Sequence, residues 1–127
     1  MYYIYAMEKI ISTTRRPDIT FYASGLINIT TRVARILGLT SESCVNIAVE
    51  KGEYLLFAEH YTGMIGSHTA RCYLVNVGRS YYRANSIALC SAMLDACGAS
   101  EKAPLMCGEP VMLHGKTYLP IITRKTL

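Results

Sequence analysis

Apolar and polar positions recur along this chain with two periods, and each change of period marks a new element. Ile19-Thr20-Phe21-Tyr22 is β-branched and aromatic, Ala23-Ser24-Gly25 supplies a turn, and Leu26-Ile27-Asn28-Ile29 resumes extended character. This reads as strand, turn, strand. The period then lengthens: Val33, Ile36 and Leu37 fall at helical spacing beside the small Ala34. Thr30 or Thr31 can offer a hydroxyl to the first helical amides, and Gly38 can adopt the left-handed conformation that ends the helix. Cys44 to Val49 alternates again, Glu50-Lys51-Gly52-Glu53 is a turn, and Tyr54-Leu55-Leu56-Phe57 is strongly apolar, which predicts a β-hairpin. The unit is β-β-α-β-β.

A second series follows in the same order. Arg71 to Val77 reads as a strand, Gly78-Arg79 as a turn and Ser80-Tyr81-Tyr82-Arg83 as an extended segment. Asn85 or Ser86 can cap a helix in which Ile87, Cys90, Met93, Leu94 and Cys97 share a face and Gly98 closes the last turn. After a connection from Ala99 to Pro104, a second hairpin is expected from Glu109 to Leu113, a turn at His114-Gly115-Lys116, and Thr117 to Ile122. The opening Met1-Tyr2-Tyr3-Ile4-Tyr5-Ala6-Met7 also reads as a strand; it has no basic leader and is too short and too aromatic for a secretory segment. The recurrence has two readings. Either units 15–59 and 70–124 are internal copies joined by the Gly-containing connection 60–69, or two β-α-β-β stretches are alike by chance.

Composition narrows the class. The chain has 127 residues, 51% hydrophobic and 17% charged, enough for one domain, residues 1–127, whose core buries roughly two thirds of the unfolded surface without metals or disulfides. Branched apolar residues and ten tyrosines spread along the whole length exclude a disordered chain. No uncharged apolar run approaches the roughly 20 residues of a membrane-spanning helix. Five cysteines, Cys44, Cys72, Cys90, Cys97 and Cys107, stand at unrelated spacings in an odd number, which suits buried thiols in a reducing, cytoplasmic compartment.

Catalytic and metal chemistry find few residues to work with. His60 and His68 flank a Gly-containing connection and His114 sits in the expected hairpin turn, with no tight ligand pair of the kind a structural zinc site uses. Gly63-Met64-Ile65-Gly66-Ser67 is Gly-rich but lacks the lysine and the strand-to-helix setting of a phosphate loop. Cys90 and Cys97 lie on one stripe of a helix with no base beside them, the pattern of small core residues. Neither an enzyme, a cofactor nor a metal is expected.

The stretch Ile19 to Ile29, followed by Thr31-Arg32-Val33-Ala34-Arg35-Ile36-Leu37-Gly38-Leu39, Cys44-Val45-Asn46-Ile47 and Gly52-Glu53-Tyr54-Leu55-Leu56, resembles the SpoVT/AbrB family of swapped-hairpin DNA-binding domains. The likeness covers residues 19–57, and the second series would be a degenerate copy. The family's arginine after the turn glycine is Leu26 here, and its proline before the helix is Thr30. The resemblance implies a mainly β fold with short helices (α+β), a small barrel of interleaved hairpins built either from two internal units or from a homodimer. It also implies that the hairpin 44–57 lies on the side away from DNA.

Charge placement fits that expectation. Arg15, Arg16, Arg32 and Arg35 face only Asp18 in their part of the chain, and Arg71, Arg79 and Arg83 have no acid among them, whereas Glu42, Glu50, Glu53 and Glu59 face only Lys51. The formal charge of +4 is therefore the remainder of two arginine-rich turn-and-helix segments and one acidic hairpin. Guanidinium forks suit phosphate oxygens. Arg15, Arg16, Arg32, Arg35, Arg79 and Arg83 are thus the candidate duplex-DNA contacts of a transcriptional regulator or antitoxin, with the tyrosines of Tyr81-Tyr82-Arg83 as further contacts. The competing expectation is a barrel that keeps the fold without the DNA face and binds another protein; Leu26 in place of arginine favours it.

Overall fold

The computed structural model describes residues 16–60, 70–77 and 79–123, with the backbone alone over 74–77 and 79–81. The expected strand at Met1 to Met7, Arg15, and the connection carrying Gly63, Gly66 and His68 lie outside the described residues. The chain runs β1 (Ile19–Tyr22), β2 (Leu26–Ile29), α1 (Thr31–Leu37), β3 (Ser43–Glu50), β4 (Glu53–His60), β5 (Ala70–Arg71), β6 (Tyr73–Val77), β7 (Arg79–Asn85), α2 (Ile87–Cys97), β8 (Lys102–Cys107), β9 (Val111–Leu113) and β10 (Lys116–Ile122). It is mainly β with two short helices. No helix among the described residues is long and apolar enough to cross a membrane.

The strands form one antiparallel sheet in the order β5-β3-β4-β10-β8-β1-β2-β7-β6, with β9 added to β10. Its two ends nearly meet, because β5 and β6 are separated by Cys72 alone and the Cys72 N–H donates to the Ser43 carbonyl at 2.8 Å. The result is a nearly closed barrel. Alternation fills it: Ile19 and Phe21 of β1, Ile27 and Ile29 of β2, Ala84 of β7, Ala103, Leu105 and Cys107 of β8, Leu56 of β4, and Leu119 and Ile121 of β10 are all buried, as a barrel interior with one inward residue in two requires.

The helices complete the core. Val33 and Ala34 of α1, and Cys90, Met93 and Leu94 of α2, join the same buried cluster. α1 lies against β7 and β10, and α2 against β1, β2 and β8. Both helices stop in the same way. Gly38 and Gly98 take left-handed backbone, and the next residue's N–H reaches back, Leu39 to the Ala34 carbonyl and Ala99 to the Leu94 carbonyl, each at 2.9 Å. Ser86 caps α2 as expected, accepting from the Leu89 N–H at 3.1 Å. Thr30 does not cap α1 through its side chain; its hydroxyl donates to the Asp18 carbonyl at 3.0 Å.

Both expected hairpins form. β3 and β4 pair from Ser43↔His60 to Glu50↔Glu53 across Lys51 (φ 50) and Gly52 (φ 79), a two-residue turn that needs positive φ at both positions. His114 (φ 52) and Gly115 (φ 75) make the same turn between β9 and β10. Three expectations need correction. The Ala99 to Pro104 connection already contains the start of β8, where Ala103 and Leu105 alternate inward. Pro104 is tolerated there because the Ala23 N–H bonds the Glu101 carbonyl, which makes Thr20↔Pro104 a non-hydrogen-bonded pair, and β10 reaches β8 only at Met106 and Cys107. The strand expected from Glu109 shrinks to Val111–Leu113, all three exposed. Ile87, placed on the buried face of α2, is 72% exposed at the first position of the helix, beside the Gly25 turn.

Candidate nucleic-acid interface

β1, β2, β7 and β6 are neighbours and make one wall of the barrel. Ile27 and Ile29 of β2 are buried inward, so Asn28 between them belongs to the outer face. Thr20 pairs with Asn28, Asn28 with Arg83, and Arg83 with Tyr73, giving one lateral row across the four strands. The row is held by side chains as well as backbone. Arg83 Nε donates to Asn28 Oδ1 at 3.1 Å, Asn28 Nδ2 donates to the Tyr22 hydroxyl at 3.4 Å, and Asn85 Nδ2 donates to the Tyr73 hydroxyl at 3.3 Å.

Arginines collect around β7. Arg35, exposed in the last turn of α1, lines a hollow of about 460 Å³ together with Thr31, Leu39 and Tyr82 of β7. Arg71, Tyr73 and Asn85 line a second hollow of about 420 Å³ with Ser41 and Cys72, where Arg71 Nε donates to the Ser41 carbonyl at 3.3 Å. Arg83 lies between, on β7 itself. Arg79 opens β7, and its side chain, like that of Tyr81, lies outside the described residues.

Arg32 is differently employed. Its Nη1 donates to Asp18 Oδ1 at 3.1 Å, the arginine side chain 44% exposed and the aspartate 6%. Asp18 Oδ2 accepts the Cys107 N–H at 2.8 Å, its carbonyl accepts from Thr30, and its N–H reaches the Leu105 carbonyl. This buried carboxylate ties β1, α1 and β8 together, and Arg32 serves it. Arg16 is exposed just ahead of β1.

The charges separate by wall. β1, β2, β6 and β7 contain Arg79 and Arg83 and no aspartate or glutamate, while the β3–β4 hairpin carries Glu50, Glu53 and Glu59 and no arginine or lysine within its strands; β5, paired to β3, puts Arg71 in one row with Cys44 and Glu59. At a low-dielectric surface such a distribution sums into a field of one sign over one face.

Cys72, Cys90, Cys97 and Cys107 sit in the packing of the fold. Burial pushes the Cys72 thiol up to about 12, assisted by Cys44, and the Cys107 thiol up to about 12, where nearby Asp18 adds to burial and Arg32 opposes it. Cys90 and Cys97 are also raised by burial. These are protonated thiols, poor as nucleophiles and as metal ligands. Among the described residues no group of three His, Cys, Asp or Glu side chains is placed to hold a metal ion.

The structure thus sets Arg35 beside Tyr82 at the hollow next to α1 and Arg83 on the outer face with Asn28, separates Arg32 into the Asp18 cluster, and leaves Arg16 ahead of β1. Asn28, Tyr22, Tyr73, Asn85 and Arg71 were not among the sequence candidates for contact. Strand alternation alone could have put Asn28 on the outer face of β2; its pairing with Arg83 depends on a register between distant strands. No family model, curated protein or solved structure matches the chain.

Proposed function

We propose that this protein binds duplex DNA through the wall β1-β2-β7-β6, with Arg83 supplying a phosphate contact on the wall beside Asn28, Tyr22 and Tyr73, and Arg71 of β5 and Arg35 of α1 supplying others at its margins. One observation carries the proposal: β1, β2, β7 and β6 are contiguous and carry Arg79 and Arg83 with no acid, the glutamates are gathered on another hairpin, and Arg71 stands on β5 where the barrel nearly closes beside β6. A polyanion is the partner such a surface attracts, and arginine is the side chain that meets phosphate oxygens in pairs. Arg32 acts as a positioning residue through Asp18.

The fold we propose is a swapped-hairpin barrel whose two units are copies within one chain. Matching pair registers support it. With the turn Lys51-Gly52 set on His114-Gly115 and one extra residue allowed between Cys107 and His114, the pairs Val45↔Ala58 and Cys44↔Glu59 fall on Cys107↔Ile121 and Met106↔Ile122. Thr20↔Asn28 and Phe21↔Ile27 fall on Tyr73↔Arg83 and Leu74↔Tyr82. Ile19↔Leu105 falls on Cys72 and Ser43, which are joined by a backbone hydrogen bond. Gly38 falls on Gly98. Chance similarity between two β-α-β-β stretches does not require registers between the halves to agree as well.

The test is fluorescence anisotropy of the full chain with a labelled duplex at about 50 and about 200 mM salt. Three phosphate contacts correspond to about a 40-fold loss of affinity over that range. Arg71→Gln/Arg83→Gln is expected to bind more weakly and with a flatter salt dependence, while Glu53→Lys binds at least as well as the parent. Equal binding by parent and double variant overturns the proposal.

A second reading has its own observation. β9 is paired on one side only and exposes Val111, Met112 and Leu113, a strand edge to which another protein could add a strand. No duplex binding at low salt, together with self-association abolished by Met112→Glu, favours this assembly role.

A further inference from the structure

Building on the duplex-binding reading, we infer that one chain recognises an inverted-repeat duplex, with the two-fold axis of the DNA set over the Asn28–Arg83 pair. The inference starts from the two seams where the halves meet. Under the equivalence of the halves, Ile27↔Ala84 and Ile29↔Tyr82 exchange places, while Asn28↔Arg83 maps onto itself. At the other seam Leu56↔Leu119 maps onto itself. An approximate two-fold axis therefore crosses the barrel and leaves it at two poles, one between β2 and β7 and the other between β4 and β10.

Charge distinguishes the poles. At the second pole β4 carries Glu53 and Glu59 and its hairpin partner β3 ends in Glu50, against the single Lys116 of β10, which lies over the Phe57 ring. At the first pole β7 carries Arg79 and Arg83, and neither β2 nor β7 carries an acid. Only the first pole suits a polyanion. B-form DNA has two-fold axes perpendicular to its length, and a protein face with its own two-fold axis meets two half-sites in opposite orientation when the axes coincide. Dimeric DNA-binding proteins obtain that axis from two chains; here both halves of the face belong to one chain.

The symmetry is approximate in a way that affects recognition. Equivalent positions carry Asn28 and Arg83, Thr20 and Tyr73, and Asp18 and Arg71. Asparagine and arginine pair best with different bases, adenine and guanine respectively. The two half-sites are therefore related but unequal near the centre.

Selection of binding sites from a randomised duplex library with the full chain, followed by native mass spectrometry on the selected duplex, tests this. The expected result is an imperfect inverted repeat that binds one chain. Arg83→Asn, which places the same residue on both sides of the axis, is expected to select a more symmetric centre. A consensus without inverted symmetry, or a requirement for two chains per site, overturns the inference and leaves duplex binding intact. No enrichment and no duplex retention at low salt removes both.

Discussion

Replacement of Asp18 by alanine removes a side chain that does three jobs at one place. Its carboxylate accepts the buried Cys107 N–H and the Arg32 guanidinium, and it stands where β1, α1 and β8 meet. Without it the Cys107 N–H is left without its side-chain acceptor, which costs about 1–3 kcal/mol when the donor is shielded from water. The Arg32 contribution is smaller, about 0–1 kcal/mol, because that side chain is 44% exposed and regains solvent. A total loss of about 1–4 kcal/mol follows, equivalent to a fall in Tm of roughly 4–15 °C for a domain of this size. Asp18→Asn keeps an oxygen for Cys107 and is expected to lose about half as much. Urea melts of both variants and of the parent, followed by far-UV circular dichroism at pH 7, make the measurement. An alanine variant within about 0.5 kcal/mol of the parent refutes the assignment of Asp18 as the junction.

Further outcomes follow from the same contacts. The raised folded-state pKa of Cys72 and Cys107 means that the native protein holds these protons more tightly than the unfolded chain, so their contribution is complete below about pH 9 and is lost as pH rises toward about 12; a melting temperature that does not fall across that window contradicts it. At pH 8, iodoacetamide should label native Cys97, the one cysteine that is not fully buried, ahead of the other four, and mass spectrometry of the labelled peptides reads the order. Gly25→Ala combines a φ of +98 with a new Cβ 2.9 Å from the Ile87 Cγ1 atom and should cost about 1–3 kcal/mol; Ile87→Ala in the same chain should recover only the steric share, since the backbone strain stays. Glu53→Lys converts the like-charge pair Glu50↔Glu53 into an attractive one and should stabilise by about 0.2–1 kcal/mol in thermal melts at low salt.

What could be read from the sequence was local. β1, β2, α1 and the β3–β4 hairpin were evident because period, turn glycines and the helix stop at Gly38 act over a few residues. β8 was hidden by Pro104, which usually argues against a strand; it is accepted here because its missing N–H faces away from β1 and β10 pairs only farther along. The roles of the arginines were the least legible. Arg32 and Arg35 are alike on a helical wheel, yet one is paired with Asp18 fourteen residues upstream and the other rims a hollow beside Tyr82. Asn28 and Arg83 are brought together by the β2–β7 register, which no short-range pattern encodes.

Contact between duplex DNA and the acid-free wall is tested most directly by an NMR titration of the ¹⁵N-labelled full chain with a short duplex at low salt. The amides expected to shift are those of β1, β2, β6 and β7, centred on Asn28 and Arg83, with the Ser43–Glu50 and Glu53–His60 strands unmoved. Shifts confined to that acidic hairpin, or none at all, would contradict the assignment.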